Sequence, residues 1–83
     1  MDLTPDRATA LRQLELANKH VSQGQQRVDR QAALIARLER DGHDTKQGMM
    51  LLEEMKITLA LQIEDRDRIL RELGRSTGFT RPN

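Results

Sequence analysis

A helix-period pattern runs through most of this 83-residue chain and is broken once, at Arg40-Asp41-Gly42-His43-Asp44-Thr45-Lys46-Gln47. Gly42 supplies the left-handed residue that commonly closes a helix. Asp44 can then accept backbone N–H groups as N-cap of the next helix, with Gln47 three residues later in capping-box position. A helix, a short turn and a second helix make an antiparallel hairpin. The expected fold is all-α: a coiled-coil-like two-helix hairpin over residues 1–74, with a flexible tail at 75–83.

The first helix is predicted from about residue 5 to residue 40. Thr4 is its expected N-cap, and Pro5 suits the first helical position because its missing N–H would be unpaired there anyway. Leu14, Val21, Val28 and Ile35 recur at sevens, and Ala10, Ala17, Gly24, Gln31 and Leu38 occupy the alternate seam positions. A seven-residue apolar repeat favours left-handed supercoiled packing. Gly24 weakens this stripe by about 1 kcal/mol relative to alanine. The expectation is a continuous helix that a partner approaches closely, with a break at Gly24 as the alternative.

The second helix is predicted over about 45–73, after a turn at 41–44, and Gly74 is its expected stop. Leu52, Leu59, Arg66 and Leu73 recur at sevens, with Met55, Gln62 and Ile69 between them and Met49, Ile63 and Leu70 widening the face. With numbers of opposed residues summing to about 85, as a short turn dictates, Leu38 and Ile35 face Met49 and Val28 faces Leu59. At 1.5 Å per residue the first helix is about 55 Å long and the second about 43 Å, so the start of helix 1 overhangs or packs on another chain. Leu14, Val21, Val28, Ile35, Leu38, Leu52, Met55, Leu59, Ile69 and Leu73 therefore form the hairpin seam.

That seam leaves Met50, Leu51, Ile57 and Leu61 outside it. A helix apolar on several sides is normally buried on several sides, and one hairpin partner cannot cover this one. These four residues are the expected dimer interface, which makes the hairpin half of a four-helix bundle. Composition points the same way. Phe79 is the sole aromatic residue and cysteine is absent. A domain this small, without disulfides, commonly gains stability by self-association.

Charge excludes several functions. Fourteen Lys and Arg against thirteen Asp and Glu leave no field to draw the chain onto nucleic acid or an anionic membrane. No apolar run reaches the roughly 20 residues of a membrane span, and Met1-Asp2-Leu3-Thr4-Pro5 lacks a secretion pattern. The expected setting is cytoplasmic. His20 and His43 lie about 30 Å apart along a hairpin, so they cannot share one site. Glu64-Asp65-Arg66-Asp67-Arg68 is a solvated face with interleaved arginines, because paired catalytic acids need a water-excluding cleft. No catalytic residue, cofactor or metal is expected.

Arg66 stands at a seam position, where a polar residue either fixes register, as Gln31 and Gln62 could also do, or lays its stem on the seam and sends its head to water. The expected function is a non-enzymatic oligomerisation or protein-interaction module, with a second copy of itself as the first partner and another protein as the second. The alternative is a small signal-transduction regulator that engages a partner domain through the bundle surface or His20. Phe79 is a possible docking anchor.

The run from Arg30-Gln31 through Leu38-Glu39-Arg40-Asp41-Gly42-His43-Asp44-Thr45 to Leu51-Leu52-Glu53-Glu54-Met55, with Arg68-Ile69-Leu70 beyond, resembles a group of small helical-hairpin proteins of alpha-proteobacteria. They share a helix, a Gly-x-Asp-Thr turn and a second helix with a similar ending. The resemblance implies a bacterial cytosolic setting and carries no activity with it.

Overall fold

A computed structural model of the chain describes residues 6–78, and side-chain surroundings as far as residue 75. Thr4, Pro5 and Phe79 fall outside the described residues. Two helices, α1 (Arg7–Arg40) and α2 (Lys46–Gly78), pack along each other as a hairpin measuring 62 × 28 × 15 Å. No strand occurs among the described residues.

The cap of α1 is Asp6, two residues beyond the expected Thr4. Asp6 is extended, its carboxylate accepts the Thr9 N–H at 2.7 Å, and its carbonyl accepts the Ala10 N–H at 3.0 Å. Aspartate ranks above threonine as an N-cap and adds a negative charge at the positive end of the helix dipole. Helix α1 then continues through Gly24 to Arg40 without a break.

The end of α1 is a full Schellman closure. Gly42 adopts φ +77°, the His43 N–H donates to Leu38 O at 2.9 Å, and the Gly42 N–H donates to Glu39 O at 3.1 Å. Arg37 and Arg40 in the last turn complement the negative end of the dipole.

At the start of α2 the capping is divided between Asp44 and Thr45. Thr45 O accepts the Met49 N–H at 2.9 Å, which makes Thr45 the cap, while the Asp44 carboxylate accepts the Lys46 N–H at 2.9 Å. Gly48 rather than Gln47 then falls three residues after the cap. Without a side chain there, the capping box cannot close.

At its far end α2 runs through Gly74 to Gly78, so Gly74 is not the stop and at least the first four tail residues are helical. A glycine ends a helix only when the chain takes the left-handed turn, and Gly42 is the sole described glycine that does so. Interior glycine costs about 1 kcal/mol, which a long helix held by packing absorbs. The helices are consequently 34 and 33 residues long, and α1 has no overhang.

The seam follows an alternating three-four spacing on both helices. On α1, Ala17, Gly24, Val28, Gln31 and Ile35 are buried, with Ala10, Leu14, Val21 and Leu38 half-buried. On α2 and its cap, Leu59 and Ile69 are buried, and Thr45, Gly48, Leu52, Met55, Gln62, Arg66 and Leu73 are half-buried. The second row corrects one pairing. Met49 is exposed, and Gly48 is the residue that faces Ile35. Opposed pairs such as Ile35 with Gly48 and Gly24 with Leu59 sum to 83, two less than expected. The hairpin is thus shifted by about one residue on each strand of the pair.

Candidate interaction surface

Two helices alone cannot dry a seam. Among the described residues no large side chain is fully buried, and the best-buried apolar ones, Ala17, Ile35 and Ile69, retain 5% exposure. The molecular surface of 6783 Å² compares with roughly 5,000 Å² for a compact monomer of this mass. The excess comes from an elongated shape with apolar side chains facing outward.

The largest concentration of them is on α2. Met50, Ile57 and Leu61 are 60%, 61% and 62% exposed, and Leu51 is 43% exposed. Residues at i, i+4 and i+7 share a helix face, so Met50, Glu54, Ile57 and Leu61 form a row on the far side of α2 from α1. Leu51 lies at its edge, toward the inter-helix groove.

On that edge the surface is notched. Gly24 puts no side chain between the helices, and a groove of about 230 Å³ opens there, lined by Gly24 and Arg27 from α1 and by Leu51, Glu54, Met55 and Gln62 from α2. Small-molecule sites usually enclose 300–1,000 Å³, so this groove suits one side chain better than a cofactor. A Cβ at Gly24 would run into Gln62 Oε1 and stand 3.2 Å from Leu59 Cδ1. Gln62 Oε1 itself is buried and has no hydrogen-bond partner. Leu34, 42% exposed on α1, adds to the same side of the hairpin, because it stands seven residues after Arg27 on one helix face.

The polar candidates separate clearly. Gln31 is buried and donates its amide N–H to Gly48 O at 3.0 Å, a bond between the helices. Arg66 is half-buried, and its guanidinium bonds the carboxylate of its own neighbour Asp67 at 3.1 and 3.2 Å. Its head is therefore engaged on α2 itself. His20 and His43 are both exposed. Arg68 pairs with Asp65, which raises the guanidinium pKa, and reaches Glu72 at 3.9 Å. Among the described residues no group of three or more His, Asp or Glu side chains could hold a metal ion. No described helix is long and apolar enough to cross a membrane.

Two elements of this surface escaped the sequence reading. Leu34 sits off the seam as an isolated leucine between Ala33 and Ile35, and the Gly24 groove needs the facing helix before it exists. The three-four spacing could have found Gly48, since counting back from Leu52 lands on it.

Comparison with protein families, curated proteins and solved structures finds no match for this chain.

Proposed function

We propose that the chain is a cytoplasmic, non-enzymatic oligomerisation and protein-interaction module, a helical hairpin that pairs with a second copy to form a four-helix bundle. The observation that carries this reading is the row Met50, Ile57 and Leu61, each about three-fifths exposed, with Leu51 beside it. Full burial of such a side chain is worth about 1.5–3 kcal/mol. Covering the exposed half of four of them on each of two copies contributes roughly 6–12 kcal/mol before association costs. A micromolar dimer corresponds to about 8 kcal/mol. A two-fold dimer buries one self-complementary patch on both copies, so that this contact closes on itself.

Sedimentation equilibrium of the full chain tests this. The expected mass is twice the 9.5 kDa of one chain. Ile57→Glu together with Leu61→Glu should give monomers with reduced helicity. A compact, fully helical monomer of the unaltered chain at high micromolar concentration would overturn the reading.

A further inference from the structure

We infer that the Gly24 groove is the socket of that dimer: it receives Leu61 of a second copy, while Arg27 of each copy meets Glu54 of the other. The inference rests on the bundle reading above and assigns its geometry. Glu54 and Thr58 line the groove, and Leu61 continues the same i, i+4, i+7 row of α2. The projecting leucine and the hollow are therefore neighbours on one surface. A patch that carries a knob beside its own hole closes on itself when two copies approach across a two-fold axis. With α2 antiparallel to its copy and Leu61 opposite the stretch from Glu54 to Thr58, the axis passes close to residue 58. The hollow of about 230 Å³ accommodates one aliphatic side chain, in the manner of knobs-into-holes packing.

Charge selects the same arrangement. Arg27 and Glu54 border the groove with opposite signs, and both are exposed. Neither takes part in an ion pair among the described residues. A two-fold axis beside the groove sets Arg27 of each copy against Glu54 of the other, so that the dimer gains two ion pairs. The opposite side of the hairpin also exposes Leu11, Met49 and Leu70.

The test is a charge exchange between chains. Arg27→Glu alone places two acidic pairs across the axis and Glu54→Arg alone places two basic pairs, so each variant should homodimerise at least about tenfold more weakly than the parent. Mixed in equal amounts, the two variants should form a heterodimer by native mass spectrometry, because each chain then supplies what the other lacks. The double variant on one chain should recover parental dimerisation. Lys19→Glu mixed with Glu39→Lys makes the same change of net charge away from the groove and should show no such selection. Circular dichroism of each variant confirms that the helices persist. Variants that homodimerise like the parent, or a mixture that yields no heterodimer, would overturn the socket while leaving the bundle reading in place. A parent chain that stays monomeric would remove both.

Discussion

The amide nitrogen of Gln31 on α1 lies 3.0 Å from the carbonyl oxygen of Gly48 on α2, and a Cβ at Gly48 would stand 3.5 Å from that same nitrogen. The bond exists because glycine lets the backbone of α2 come within reach of a side chain on α1. The same closeness limits what can replace Gly48. Ile35 Cγ1 would be 3.3 Å from the new Cβ, so alanine forces a shift of a few tenths of an ångström.

Substitution at Gly48 should therefore depend on size. Alanine gains about 1 kcal/mol of helix propensity against that shift and should change stability little. Gly48→Leu should cost about 1–3 kcal/mol, the usual penalty of overpacking, and break the Gln31 bond. Urea denaturation compares them directly. Equal midpoints for the leucine variant and the parent would show that the helices do not approach at Gly48 as described.

Gly24 and Gln62 should be energetically coupled. In the parent, alanine at residue 24 meets Gln62 Oε1, so the gain in helix propensity is offset by displacement of that side chain. With Gln62→Ala in place only Leu59 Cδ1, 3.2 Å from the new Cβ, has to give, so Gly24→Ala should be more favourable there than in the parent by up to about 1 kcal/mol. A double-mutant cycle isolates the difference. Additive effects would mean that the two residues do not touch.

The seam was legible because apolar side chains announce it. Leu14, Val21, Val28 and Ile35 on one helix and Leu52, Leu59, Ile69 and Leu73 on the other repeat at intervals only a helical pair explains. Gly48 was illegible for the opposite reason. A glycine contributes no hydrophobic signal, so the neighbouring Met49 drew the assignment, although the spacing back from Leu52 passes through Gly48 to Thr45. The helix ends show a similar contrast. Gly42 is followed by Asp44 and Thr45, which start a new helix and so identify the glycine as a stop. Gly74 has no such sequel, and the same residue type there is simply a weak interior position. Part of the candidate surface, Met50, Leu51, Ile57 and Leu61, was readable as apolar excess on α2. The groove was not, because it belongs to neither helix alone.

Glycine to alanine at these two sites should act with opposite signs. Gly42 sits at φ +77°, where a Cβ is strained although nothing crowds it within 4 Å. Gly42→Ala should cost about 1–2 kcal/mol, and the β-branched Gly42→Val more. Gly74 is helical and has the same open space around its Cβ, so Gly74→Ala should stabilise by about 1 kcal/mol. Thermal melts read both. A destabilising Gly74→Ala would mean that α2 ends there after all.

Arg66→Leu should raise thermal stability without changing the size of the assembly. The guanidinium is engaged with Asp67 on its own helix, and the side chain keeps 30% exposure. An arginine anchored in this way adds little to register, whereas leucine at a seam position buries more apolar surface. Sedimentation velocity of the variant checks the second half of the statement. Several species in place of one would assign Arg66 a role in specifying the assembly.

The start of α1 should respond to acid through Asp6. The Thr9 backbone N–H, and to a lesser degree its hydroxyl, holds the Asp6 carboxyl below its ordinary pKa, with a smaller contribution from Arg12. A pKa lowered by folding means that the carboxylate favours the helical state above the unfolded value of about 3.9, and that this contribution is lost as pH falls through the folded value. Because Asp6 is exposed, the effect belongs to the first turn rather than to the whole hairpin. In an NMR titration the Thr9 amide resonance should move with the Asp6 carboxyl, at a midpoint below the ordinary carboxylate range. Asp6→Asn should keep the cap and abolish the titration, since asparagine accepts the same N–H without a charge. Asp6→Ala should lose both and fray the helix toward Ala10. A Thr9 amide that ignores the ionisation of residue 6 would show that α1 begins on some other cap.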